Sequence, residues 1–263
     1  MTAGPRPRPR NIRDRIESGG TAYGVTVQLP SPDLVEIVGA TGYDYAWLDA
    51  EHGALGLTDL REMIRAADAC GIDSIVRVPD HDASFIQRVL DIGATGIMVP
   101  HLRTREEAES IVAAGHYSPA GIRGACPYVR ATNHRATDWS GQSERADRDV
   151  LIFGLIEDRE GAENVAEIAA TPGLDGLVFG PFDLGQSLGH PGDVGNPVIR
   201  DWHDRVVDAC EDAGIVYVTA ALDWEFGADA SNRSRVVTVA IDRASIFDTW
   251  REALVRVAER NES

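Results

Sequence analysis

Eight times along the chain a short β-rich run recurs, and a helical pattern stands between most of these runs. The runs are "TAYGVTVQ" (21–28), "DYAWLDAE" (44–51), "DSIVRVP" (73–79), "GIMVPHL" (96–102), "VLIFGLIED" (150–158), "GLVFGPFDL" (176–184), "IVYVTA" (215–220) and "VVTVAID" (236–242). Segments such as "PDLVEIVGATG", "LTDLREMIRAADACG" and "ASFIQRVLDIG" carry helical periodicity and end in Gly, as a C-cap does. Continuously apolar strands alternating with helices predict a parallel sheet buried on both faces. Eight such units in about 250 residues fit an α/β fold of the (β/α)8 TIM-barrel type. A doubly wound open sheet is the alternative. It usually shows a glycine-rich phosphate turn after its first strand, where this chain has "VQLPSPD". One barrel domain is expected over 12–263. The tail before it, 1–11 ("MTAGPRPRPRN"), alternates Pro and Arg, lacks the apolar stretch of a secretory signal and reads as disordered.

Charge and composition narrow the function. The net charge of −17 on 263 residues argues for a soluble chain that repels nucleic acid and anionic membrane. No apolar run approaches the ~18 residues of a membrane span. Cys70, Cys126 and Cys210 form no CxxC pair, which suits a reducing cytoplasm. All 25 basic residues are Arg and none is Lys. A Schiff base to a side-chain amine is therefore excluded, and any carbanion chemistry needs another electron sink.

Polar residues gather at the C-terminal ends of the expected strands, where a (β/α)8 barrel carries its chemistry. Strand two ends in Asp49, Glu51 and His52, strand three carries Arg77, strand four ends at His101, and strand five ends in Glu157 and Asp158. Strand six leads to Asp183. Glu157 and Asp183 suit a hard divalent cation, Mg²⁺ or Mn²⁺ first, with Co²⁺ or Zn²⁺ as alternatives. Arg77 sits amid Ile and Val and needs an anion: either a structural partner in Asp49 or Glu51, or a substrate oxyanion. His52 is a candidate general base, with His101 a weaker one. His81, His116, His134, His190 and His203 read as surface residues. The last segment, "ASIFDTWREALVRVAERNES", puts Ile246, Trp250, Leu254 and Val257 on one helical face, which in a monomer makes it the eighth barrel helix.

From about residue 11 to 255 the sequence resembles the HpcH/HpaI aldolase family, metal-dependent pyruvate aldolases that include 4-hydroxy-2-oxoheptanedioate and 2-dehydro-3-deoxyglucarate aldolases. The resemblance rests on "YDYAWLDAEHG", "IVRVPD", "VLDIGATGIMVPHL", "YSPAGIRG", "LIEDREG" and "GLDGLVFGPFDLGQSLG" in this order. It implies reversible cleavage of a 4-hydroxy-2-oxo acid to pyruvate, or a related 2-oxo acid, and an aldehyde. It also implies a homo-oligomer, a hexamer or trimer, with the last helix exchanged between subunits. By motif, His52 is the base, Arg77 the stabiliser of developing charge, and Glu157 and Asp183 the metal ligands. Asp91, or Asp49 which is closer in sequence, supports His52. Backbone N–H groups of Phe182 and Asp183 hold the substrate carboxylate, Leu155 stands where relatives often have a substrate-contacting Gln, and Arg123 either meets the distal end of the substrate or has a structural role in its loop. A citrate-lyase-like acyl-CoA lyase and a non-catalytic barrel that binds metal and keto acid are the alternatives. The stretch 219–235 departs from the family pattern.

Overall fold

The computed structural model describes residues 10–220 and 233–262. Eight parallel strands close into a barrel in chain order: β1 Ala22–Val27, β2 Tyr45–Asp49, β3 Asp73–Arg77, β4 Gly96–Val99, β5 Leu151–Ile156, β6 Gly176–Phe179, β7 Val216–Ala220 and β8 Val236–Ile241. The expected (β/α)8 barrel is the observed one. Residues 1–9 of the expected tail and most of the atypical stretch 219–235 lie outside the described residues.

Around the barrel run α2 Pro32–Ala40, α3 Leu57–Cys70, α4 Ala83–Asp91, α5 Arg105–Gly115, α6 Trp139–Asp149, α7 Arg159–Glu163, α8 Val165–Ala169, α9 Pro181–Leu188 and α10 Pro197–Ala213. Their ends follow the local sequence. Ser31 and Asn196 accept the N–H groups of Leu34 and Val198, each just before a helix-opening proline. Thr104 and Glu107 form a reciprocal capping box. Gly71 and Gly214 close α3 and α10 with φ of 73° and 70°.

Two apolar cores result. One lies between sheet and helices, with Val76, Ile97, Ile152 and Leu177 facing Leu60, Ile86, Ile111 and Val206. The other fills the barrel with Tyr45, Trp47, Ile75, Met98, Phe153, Leu155, Val178 and Val218. Small residues make room for large ones in this inner core. A Cβ on Gly24 would lie 2.4 Å from the Tyr45 ring, whose hydroxyl bonds Thr238 Oγ1 at 2.9 Å.

Beneath the barrel lies α1, Asn11–Glu17, which begins inside the expected tail. Ile12 is fully buried, and its N–H donates to Asp73 at 2.8 Å. Arg13 and Arg15 pair with Asp175 and Asp44, both at 3.0 Å. This short helix plugs the N-terminal end of the barrel and leaves the C-terminal end open.

The structure corrects three expectations. Most strands stop two to five residues early, because Pro79, Pro100 and Pro181 turn the chain and Asp158 caps α7. "PFDL" is therefore helix, with Pro181 at its first position and Asp183 in its first turn. His203 is buried rather than at the surface, with Phe179 and Tyr217 edge-on at 5.5 and 5.3 Å. The last helix, α11 (Asp242–Glu262), does not fold back as an eighth barrel helix. Its main contacts with the barrel among the described residues are with β1 and β8, and Phe247, Trp250, Leu254 and Val257 are exposed.

Candidate active site

Strand register builds the centre of the site. Asp49 and Arg77 are the last residues of β2 and β3 and lie opposite one another. Arg77 Nε and Nη2 reach Asp49 Oδ1 and Oδ2 at 2.9 and 2.6 Å, a two-point pairing. The third guanidinium nitrogen lies 3.0 Å from Glu51 Oε2, and the Trp47 ring lies beneath at 5.3 Å. Asp49 has no exposed surface. Gln28 Nε2 at 2.8 Å and the N–H groups of Glu51 and His52 at 3.1 and 3.2 Å complete its partners. Burial alone raises the Asp49 carboxyl, but Arg77, Gln28 and the His52 N–H outweigh it and hold it below the ordinary carboxylate range. For Arg77, burial is likewise outweighed by Asp49, Glu51 and Glu157, so it stays charged.

Beside this pair stands Glu157, one residue beyond β5 and 3 % exposed. The His101 N–H donates to its Oε1 at 2.7 Å, and the His101 ring Nδ1 lies 3.3 Å from the same atom. His101 adopts a left-handed backbone (φ 51°), unusual for a residue other than glycine, and this bend turns its N–H onto Glu157. The His101 Nε2 lies 3.7 Å from Glu51 Oε1. Burial, then the charges of Glu51 and Asp183, push Glu157 up to about 8 despite the His101 N–H and Arg77.

Glu51, His101 and Glu157 each offer one ligand atom, all within 4.8 Å of one another. Asp183, exposed in the first turn of α9, adds charge from the next strand along. The fit to a divalent cation is good: oxygen donors crowd together, and the most buried of them lacks a compensating cation of its own. Gly180 leaves room here, since a Cβ would come within 3.0 Å of Glu157 Oε2.

Asp49, His52, Arg77 and Glu157 thus meet at one end of the barrel. The His52 ring is 58 % exposed and approaches Glu51 Oε2 at 3.8 Å. Leu155 is a buried barrel residue two positions before Glu157, and Phe182 is exposed at the start of α9. Asp91 and Arg123 are not part of this cluster. They pair with each other at 2.8 Å near the end of α4, which lies at the N-terminal side of the barrel. Neither Asp49 nor Asp91 hydrogen-bonds the His52 ring within one chain. Gln28 and the central place of Glu51 escaped the sequence reading, although both are polar residues just past an apolar strand.

Residues 23–258 match the family described as HpcH/HpaI aldolase/citrate lyase. A hydroxypyruvate/pyruvate aldolase of Chromohalobacter salexigens is 34 % identical over 209 residues, 78 % of this chain and 81 % of that one. A 5-keto-4-deoxy-D-glucarate aldolase of Escherichia coli is 32 % identical over 195 residues, 73 % of this chain and 74 % of that one. Among solved structures, the citrate synthase SbnG superposes with a TM-score of 0.86 at 29 % identity, covering 95 % of this chain and 98 % of that one.

Proposed function

The chain belongs to the HpcH/HpaI aldolase/citrate lyase family, and on that premise we propose that it is a divalent-metal-dependent aldolase. Its substrates are a 4-hydroxy-2-oxo acid in one direction, and pyruvate or a related 2-oxo acid with an aldehyde in the other. One observation carries the reading: Glu51, His101 and Glu157 converge beside Arg77, within reach of the Asp183 charge, at the barrel mouth of a chain without lysine.

Glu157 and Asp183 would hold the cation, Mg²⁺ or Mn²⁺ before Co²⁺ or Zn²⁺, with Glu51 and His101 next to it. A cation there supplies Lewis acidity at the 2-oxo oxygen. Arg77, oriented by Asp49, faces the oxygen where negative charge develops and does not reorganise as it forms. First-turn N–H groups of α9, those of Phe182 and Asp183, have no intrahelical acceptor and suit the substrate carboxylate. Leu155 gives this subsite an apolar wall. His52, at the exposed rim, takes the proton of the 4-hydroxyl. The O–H electrons then form the aldehyde carbonyl, the C3–C4 bond breaks, and its electrons pass to the enolate of the 2-oxo acid, which is protonated at C3. Asp91 and Arg123 have no part in this scheme within one chain.

Among the described residues no helix is long and apolar enough to cross a membrane. The free cysteines support a cytoplasmic location, and the exposed apolar stripe of α11 supports a homo-oligomer, trimer or hexamer, that exchanges this helix between subunits.

A second reading, cleavage or condensation of a citrate-like acid, is supported by the likeness to a citrate synthase. The test is pyruvate release from several 4-hydroxy-2-oxo acids, beside assays with citrate and acyl-CoA esters, with and without EDTA. Metal-dependent pyruvate release supports the aldolase. Turnover of the thioesters alone supports the second reading. Binding without turnover in either assay leaves a non-catalytic barrel.

A further inference from the structure

A cavity opens at the end of the barrel opposite the mouth. It holds about 380 Å³ and is lined by Thr95 and Val150, which immediately precede β4 and β5, so it lies at the N-terminal side of the barrel. The long β4–β5 connection builds it, chiefly through α6 and the turn Arg130–Thr132. Its volume falls within the range of small-molecule sites.

The lining is basic in a chain whose net charge is −17. Four guanidiniums, from Arg10, Arg123, Arg145 and Arg148, line it with one carboxylate, Asp149. Asp149 is shared between Arg10 at 3.4 Å and Arg148 at 3.0 Å. Arg145 makes no ion pair among the described residues. Arg123 is the telling residue. It is 7 % exposed, its Nη2 bonds Asp91 at 2.8 Å, and its buried Nε has no hydrogen-bond partner. A buried guanidinium N–H left without an acceptor is costly unless one arrives from outside. Arg123 also stacks over Tyr117 at 4.6 Å, and Trp139 meets Tyr117 edge-on at 5.2 Å. Guanidinium donors beside an aromatic wall select an oxyanion attached to a flat apolar body.

We propose that this cavity is a second ligand site, separate from the barrel mouth, for a small metabolite bearing a carboxylate or phosphate on a flat apolar group. The oxyanion binds at Arg123 and Arg145, and the body lies against Tyr117 and Trp139.

The test is calorimetric titration of the EDTA-treated protein with inorganic phosphate, phenylphosphate and benzoate. We expect saturable 1:1 binding of phenylphosphate or benzoate, at least ~10-fold tighter than inorganic phosphate because the ring adds its own contact. The stronger of the two identifies the oxyanion. Arg145→Glu lies on an exposed stretch of α6 and leaves the fold intact, and Ser143→Trp fills the cavity. Each should abolish binding while pyruvate release in the presence of metal is unchanged. Absence of saturable binding, or binding equal in wild type and both variants, overturns the proposal. So does a change of oligomeric state in Ser143→Trp by sedimentation, which would mark the cavity as a subunit contact.

Discussion

Replacing Arg77 by Met separates the structural use of this residue from its proposed chemical one. The change keeps an apolar stem in contact with Trp47 and removes the guanidinium. Asp49, with no exposed surface, then keeps only Gln28 and two backbone N–H groups against a full buried charge. Breaking a buried pair by removing one partner costs roughly 3–5 kcal/mol. For a chain of this size about 1 kcal/mol moves the melting temperature by roughly 2–4 °C, so Arg77→Met should melt about 6–20 °C lower. The second change, Asp49→Asn in the same chain, removes the stranded charge but keeps an acceptor for the Glu51 and His52 N–H groups. The double variant should regain more than half of the lost melting temperature. Neither variant should regain turnover, since a fixed charge facing the developing oxyanion is worth roughly 10²–10³ in rate. Differential scanning calorimetry and a pyruvate-release assay on the three proteins decide the matter. A double variant no more stable than Arg77→Met would show that the two-point pair is not what stabilises the mouth. Near-normal turnover of either variant would remove Arg77 from the chemistry.

Four other outcomes are expected. Glu157→Gln should weaken Mn²⁺ binding by at least ~10-fold in a competition titration, as loss of a carboxylate donor requires; unchanged affinity would move the metal elsewhere. His52→Ala should lose cleavage but keep Mn²⁺ affinity and melting temperature, and normal cleavage would reassign the base, with His101 next. Burial, and then the charges of Asp14, Asp44 and Asp68, push Asp73 up to about 7 from 3.8 despite the Ile12 N–H. Its folded value is raised, so its contribution to stability is full below pH ~4 and is lost as pH rises through ~7. Asp73→Asn should therefore gain on wild type as pH rises from ~4 to ~7, by an amount on the order of 4 kcal/mol at about 1.36 kcal/mol per unit, and parallel melting curves would contradict this. Finally, Trp250→Glu with Leu254→Glu should reduce the mass seen by light scattering, because two charges on the exposed stripe of α11 oppose any contact made through it; an unchanged mass would show that the oligomer forms by another surface.

The barrel and the end at which the polar side chains gather were legible in the sequence, because both depend on local pattern. A strand buried on both faces has to be apolar along its length, and a helix that returns over it repeats every 3.6 residues. Polar residues at the close of such strands have nowhere to go but the mouth, so Asp49, Arg77 and Glu157 stand out, and a chain without lysine forms no Schiff base to a side-chain amine. Other features needed the closed structure. Asp49 and Arg77 pair because parallel register sets them opposite one another, and no spacing within either strand states that register. Glu51 and His101 enter the site only because the chain turns past Asp49 and bends at φ 51°, which brings residues fifty positions apart within 4 Å. Asp91 and Arg123 lie in separate motifs, and only the packing of α4 against the β4–β5 connection joins them, at the far end from the mouth. The amphipathic pattern of α11 announced an apolar face but not its destination. Periodicity announces a hydrophobic stripe but carries no information about which surface it meets.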